Sequence, residues 1–85
     1  MRAIDSSKIR EISYQPMRRA GDSEEPTNPE VAEFWSVFTI LRDPDTDHIL
    51  DVVGIGDRKS RDKAEKLARL YSFRYGVPHR LAAHT

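Results

Sequence analysis

Two neighbouring apolar runs constrain this chain more than anything else in it. Phe34-Trp35-Ser36-Val37-Phe38-Thr39-Ile40-Leu41 and Ile49-Leu50-Asp51-Val52-Val53-Gly54-Ile55 are rich in the aromatic and β-branched residues that suit a pleated, half-buried surface. Between them, Asp43-Pro44-Asp45-Thr46-Asp47 is turn chemistry: proline cannot donate to a ladder, and aspartate side chains bond nearby backbone. The pattern predicts a β-hairpin with a loop of about five residues. Pairing it so that Arg42 faces His48 sets Phe34, Ser36, Phe38 and Ile40 on one face with Leu50, Val52, Gly54 and Gly56. Trp35, Val37, Thr39 and Leu41 then share the other face with Ile49, Asp51, Val53 and Ile55. Both faces are mainly apolar, whereas a sheet wetted on one side alternates.

One helix is available to cover them. Ser60 is a natural N-cap, and Asp62 in the first turn suits the helix dipole. Ala64, Leu67, Ala68, Tyr71 and Tyr75 recur at helical spacing, Gly76 fits a C-terminal cap, and Pro78 cannot continue the helix. The predicted helix spans residues 60–75. A single helix covers one side of a sheet. The face with Gly54 and Gly56 is the expected helix side, because missing side chains let a backbone approach closely. That leaves Trp35, Val37, Leu41, Ile49, Val53 and Ile55 as the expected partner-binding surface. Full burial of such a side chain contributes about 1.5–3 kcal/mol. A small domain is stable by roughly 5–10 kcal/mol, so six left in water would be costly. The expected covers are a second copy of the chain, another protein, or the N-terminal segment with Ile9, Ile12, Tyr14 and Met17.

The remaining segments are less distinct. Lys8 to Gln15 reads as a strand ended by Pro16, although Ile9 is out of phase with Ile12 and Tyr14. Residues 18–30 hold two prolines, one glycine and no apolar periodicity, and read as a flexible loop. Residues 79–85 read as a loose tail. The 85 residues allow one domain, 1–85. The expected class is α+β, a small antiparallel sheet of two to three strands with one long C-terminal helix packed on one face, in the order β-β-β-α.

Charge is balanced in total but segregated along the chain. Fourteen basic residues meet fourteen acidic ones. Residues 1–19 carry a net +3, residues 20–51 a net −8 and residues 57–85 a net +5. The overall balance argues against a strong nonspecific binder of nucleic acid or membrane. The absence of cysteine excludes disulfides, thiolate metal sites and thiol catalysis. Met1 to Ser7 contains no apolar signal stretch, and no segment reaches a spanning length, so a cytoplasmic protein is expected.

Motifs that could carry chemistry are incomplete. Asp43, Asp45 and Asp47 match the first three ligand positions of a calcium loop, but His48 stands where the sharp-turn glycine belongs and Gly54 where the bidentate glutamate belongs. Gly54-Ile55-Gly56 lacks the third glycine of a dinucleotide fingerprint, since position 59 is lysine. His48, His79 and His84 have no carboxylate or cysteine set to complete a metal site. No cofactor, metal or enzymatic activity is expected.

The helix start, Ser60-Arg61-Asp62-Lys63-Ala64-Glu65-Lys66-Leu67-Ala68 after a hairpin, resembles the last helix of a double-stranded RNA-binding domain. That family's helix opens on a serine-lysine-lysine-x-alanine-lysine pattern whose basic residues grip phosphates. Arg61 matches the first basic position, while Asp62 and Glu65 set carboxylates where two phosphate contacts would be. The resemblance bears on fold, and no binding function is carried over from it. The function expected is a non-enzymatic protein–protein interaction module, of accessory regulator or inhibitor type. It would bind through the aromatic sheet face or the acidic central segment, as a homodimer or with another protein. The alternative is an RNA- or DNA-binding module using the helix region 57–74, with Arg58, Lys59, Arg61, Lys66 and Arg69 as contacts.

Overall fold

The first strand is the spine of the sheet. The computed structural model describes residues 6–82. In it, β1 (Ile9–Ala20) is followed by β2 (Ser23–Pro26), β3 (Phe34–Arg42), β4 (Ile49–Arg58), the helix α1 (Arg61–Tyr75) and β5 (His79–Leu81). Sheet order is β2-β1-β3-β4, antiparallel throughout, and β5 pairs β1 in parallel. The class is α+β as expected, but five strands form where two to three were expected. Among the described residues no α-helix precedes β1, so the likeness to the RNA-binding domain stays confined to the hairpin and α1.

Proline does not end β1, and hydrogen bonding explains why. Along one edge, Ile12 donates to the Pro78 carbonyl at 2.9 Å, and the Tyr14 carbonyl accepts from Ala82 at 2.8 Å. Next on that edge, the Pro16 carbonyl accepts from Thr27 at 3.0 Å. The missing N–H of Pro16 therefore points away from β3, into the gap where β5 pairing stops at Tyr14 and β2 pairing starts at Met17. Neither β2 nor β5 pairs with Pro16 on that edge, so the ring is tolerated inside a strand. Irregular pairing between Ile9 and Ile12 also resolves their phase mismatch: Ile9 lies opposite Leu41 and Ile12 opposite Thr39, and both are buried.

The stretch read as a loop, 18–30, is largely a hairpin. Gly21, at φ +63°, turns the chain between Ala20 and Ser23. The Arg18 guanidinium then meets the Glu25 carboxylate at 2.6 Å across the pair. An exposed charged ribbon carries no apolar period, so only the pairing reveals it. Part of the expected loose tail is likewise a strand, β5, while residues 83–85 lie outside the described residues.

The helix forms as its ends dictate. The Ser60 hydroxyl accepts from the Lys63 N–H at 3.3 Å, and Gly76 caps the far end at φ +67°. The Ser72 hydroxyl donates to the Val77 carbonyl and ties down the exit. Its choice of sheet face is the reverse of that expected. Ala64 and Ala68, both fully buried, share one core with Ile9, Ile12, Tyr14, Trp35, Val37 and Leu41. The small residues that permit close approach are alanines on the helix, and the large ones stand on the sheet. The Trp35 ring lies 6.3 Å from that of Tyr14, and the Thr39 hydroxyl donates to the Glu11 carbonyl at 2.8 Å.

Two irregularities in β4 set which glycine meets the helix. Arg42 pairs with Ile49, and Leu41 with Asp51, so Leu50 is an extra residue and the register departs from the expected Arg42–His48 pairing. Phe38 pairs with Gly54 and Val37 with Gly56, so Ile55 is a second extra residue. This bulge moves Gly56 to the Trp35 side while Gly54 stays opposite. A Cβ built on Gly56 would lie 3.3 Å from the Leu67 Cδ2 and the Arg58 Nη1, whereas one on Gly54 meets nothing within 4 Å. Gly56→Ala is therefore expected to lower stability by about 1 kcal/mol through overpacking. Gly54→Ala should be neutral or stabilising by up to about 1 kcal/mol through the unfolded chain. Urea denaturation of the two variants checks this, and equal effects would contradict the register.

Candidate docking surface

The face turned away from the helix is one apolar area that the described fold leaves unlidded; Leu70 and Phe73 on α1, 55% and 89% exposed, are another. Cross-strand pairing puts Phe34, Ser36, Phe38 and Ile40 of β3 on that sheet face, beside Met17, Gln15 and Ser13 of β1 and Asp57, Gly54 and Val52 of β4. Val52 is 56% exposed and Ile49, paired with Arg42 at its lower end, 58%. Leu50, the bulged residue beside them, is also exposed, and Phe34, Phe38 and Ile40 are half-buried.

This corrects the expected partner-binding set. Trp35, Val37 and Leu41 are buried, and Val53 and Ile55 are partly buried against the same core. Of the six, only Ile49 stands exposed. Among the described residues the N-terminal segment is not a lid either: Ile9, Ile12 and Tyr14 enter the same core face as members of β1. The residues missed by sequence reasoning are Phe38, Ile40 and Val52. The signal that could have found them was the alanine pair on the helix, since small helix residues seat against large sheet residues.

The two ends of the open face differ in build. At the start of β3, Arg19, Glu24, Phe34, Asp57, Arg58 and Lys59 line a shallow depression of about 170 Å³. The Arg19 guanidinium stands 6.0 Å over the Phe34 ring. At the other end lies the β3–β4 loop. The Asp43 carboxylate accepts from the N–H groups of Asp45 at 2.8 Å and Thr46 at 3.2 Å. Asp47 takes φ +62°, a conformation aspartate tolerates, and Arg42 donates to its carbonyl at 3.1 Å. The carboxylate at the first position of the incomplete calcium-loop pattern is thus used to build the turn. Among the described residues no group of three or more acidic or histidine side chains could hold a metal, and His84 lies outside them.

The five cations proposed for nucleic acid are all exposed but are not gathered into one track. Arg58 and Lys59 line the depression, and Arg61 opens the helix. Lys66 and Arg69 sit on the helix's outer side, where Arg69 meets Glu65 at 3.4 Å. At 100° per residue, Arg61 and Lys66 are about 140° apart around the axis. Among the described residues, no helix is long and apolar enough to cross a membrane.

The Asp43 carboxyl is held below its ordinary value of 3.8, first by the backbone N–H of Asp45, then by that of Thr46. A lowered folded value means the ionised form favours the turn above the unfolded value, and that preference is lost as pH falls through the folded one. A carbon-detected NMR titration is expected to place Asp43 below its ordinary value, with the Thr46 amide shift following the same curve. Asp43→Ala should abolish that amide titration. A midpoint at or above 3.8 would contradict the turn geometry. Comparison with protein-family models, curated proteins and solved structures finds no match for this chain.

Proposed function

We propose that this chain is a small non-enzymatic protein–protein interaction module that docks its partner on the open sheet face centred on Phe38, Ile40 and Val52. The observation that carries this reading is the exposure of Val52 beside two half-buried large side chains, on the side of the sheet opposite the helix. Covering each such half-exposed side chain is worth on the order of 1 kcal/mol. Contiguous apolar surface of this kind marks interaction sites. Binding without chemistry suits an accessory regulator or inhibitor. The shallow depression at the end of the face is smaller than the usual small-molecule pocket of roughly 300 Å³ or more, which favours a surface partner over a substrate.

Nucleic acid is the second reading, and it draws less support. The cations of α1 diverge around the helix, and Asp62 and Glu65 stand among them. That reading requires affinity for a generic duplex or single strand that falls steeply with salt.

A photo-reactive phenylalanine analogue at position 52 tests the docking surface in the cell. It is expected to trap one discrete protein band, while the same group at exposed Glu33 traps none. No band at position 52 would overturn the proposal. Phe38→Asp in the same chain should abolish the band, and Phe38→Asp and Val52→Asp should each cost less than about 1.5 kcal/mol of stability, as surface substitutions do. Trp35→Ala, beneath the helix, should instead cost about 3–5 kcal/mol. Urea denaturation separates the two classes.

A further inference from the structure

We infer that the outer side of α1 is a docking surface for an anionic lipid bilayer, on which the helix lies with Leu70 and Phe73 pressed among the headgroups. This surface is separate from the open sheet face and does not depend on the reading of that face. The first observation is exposure. Phe73 is 89% exposed and Leu70 55%, and neither joins the core. The second is charge. The helix carries Arg61, Lys63, Lys66, Arg69 and Arg74 against Asp62 and Glu65, a net +3, and from Lys66 to Tyr75 it has no acidic residue. Arg69 meets Glu65 at 3.4 Å. Among the described residues no ion pair engages Lys63, Lys66 or Arg74, and the Arg74 guanidinium stands 5.3 Å over the Tyr71 ring.

Helical periodicity brings the two observations together. At 100° per residue, Lys63, Lys66, Leu70, Phe73 and Arg74 fall in one arc of about 100°, on the side away from Ala64 and Ala68. All five are exposed. Asp62 stands about 20° outside that arc and Glu65 about 80°. The helix dipole accounts for Arg74 in the last turn, but not for Lys63 in the first or for two apolar side chains in water. Nor do the acidic parts of the chain cancel this surface. The helix packs chiefly on β1, β3, β4 and β5, and the acidic β2 is not among these. Glu11 of β1 is met by Arg80 at 3.0 Å. A helix with its side chains is about 10–12 Å across, so carboxylates on the sheet stand behind it by more than the Debye length of about 8 Å at physiological salt.

Shape then selects the occupant. The outer side of a helix is a convex ridge, and a protein would need a preformed pocket to take a ring as bare as Phe73. A bilayer surface is flat, fluid and anionic and needs none. Its interface accepts Phe and Leu, and the aliphatic stems of Lys63 and Lys66 can flank Leu70 while their ammonium groups reach the phosphates. A nucleic-acid backbone would meet the cations but leave both apolar tips in water. Lying this way, the chain turns its open sheet face away from the membrane.

Flotation of the purified full chain with lipid vesicles is the test. Each cation near an anionic surface is worth about fivefold, so a net +3 predicts roughly hundredfold more binding to phosphatidylcholine vesicles with about 30% phosphatidylserine than to phosphatidylcholine alone. A single myristoyl chain binds at only about 10⁴ M⁻¹, so this association is weaker, reversible and lost at high salt. Leu70→Gln with Phe73→Gln keeps the charge and should lose at least about tenfold. Lys63→Glu with Lys66→Glu should remove the preference for anionic vesicles. All four positions are exposed, so urea denaturation should find both double variants folded. The chain has no cysteine, so Phe73→Cys or Val52→Cys accepts one environment-sensitive fluorophore. The label at position 73 should shift to the blue on anionic vesicles and the label at position 52 should not. Failure to float with anionic vesicles at low salt overturns the inference, as does equal binding to both compositions, indifference to the glutamine pair, or a shift at position 52 instead of 73. An RNA duplex bound more tightly than the anionic vesicles, with the glutamine pair without effect, assigns the cations to nucleic acid and overturns it too. So does a chain that ignores vesicles while a photo-reactive group at position 73 traps a protein in the cell.

Discussion

Everything in this fold turns on the seating of two alanines. Ala64 and Ala68 bring the helix down onto Trp35, Val37 and Leu41, and both helix residues are completely shielded from water. With no side chain beyond Cβ, they let the large sheet residues fill the interlayer space, which is how a close-packed core is reached with few residues. The consequence reaches beyond stability. A single helix that takes the tryptophan side leaves the phenylalanine side open, so the packing of one surface decides the chemistry of the other.

The sheet supports this choice by routing Ile9, Ile12 and Tyr14 of β1 to the same side. Ile9, Ile12 and Tyr14 are all buried, although a regular strand cannot point residues 9, 12 and 14 one way. The irregular pairing between Ile9 and Ile12 supplies the missing half-step, and the second bulge of β4 does the same for Gly56 under Leu67. Bulges of this kind re-aim side chains at the cost of a local ladder bond. Here they convert imperfect sequence alternation into one dry face.

Strong periodic signals carried most of what was legible in the sequence. The helix was visible from Ser60 to Tyr75 because caps, dipole and apolar spacing agree there, and the observed Arg61–Tyr75 follows. The hairpin and its turn were visible in the same way, as was the existence of two apolar faces. The identity of the covered face was not, because the bulges shift parity and no single-strand pattern records them. β2 and β5 were hidden for a different reason: their stability is borrowed from β1, and Ser-Glu-Glu-Pro or His-Arg-Leu has no apolar period to display. For the docking surface, the count of faces to lids was legible, while Trp35 and Val53 stood on the wrong side of that count.

The edges of the sheet explain why association through a face is the arrangement left open. β4 ends the sheet and is ten residues long, which ordinarily invites another strand to pair. Its edge is interrupted by extra residues at Leu50 and Ile55, which break the regular spacing of ladder groups and increase the twist. Asp51 and Asp57 add like charge along the same strand, unfavourable where two copies would run side by side. The opposite edge is divided between the four residues of β2 and the three of β5, each too short to template a strand. Backbone pairing is thus discouraged at both margins by features within the strands themselves. The unlidded surface, by contrast, has no such obstruction: Gly54 leaves it flat, with nothing within 4 Å of where a Cβ would stand, and its side chains are the ones water least favours. With both margins blunted, docking of the kind proposed is left to the apolar plane.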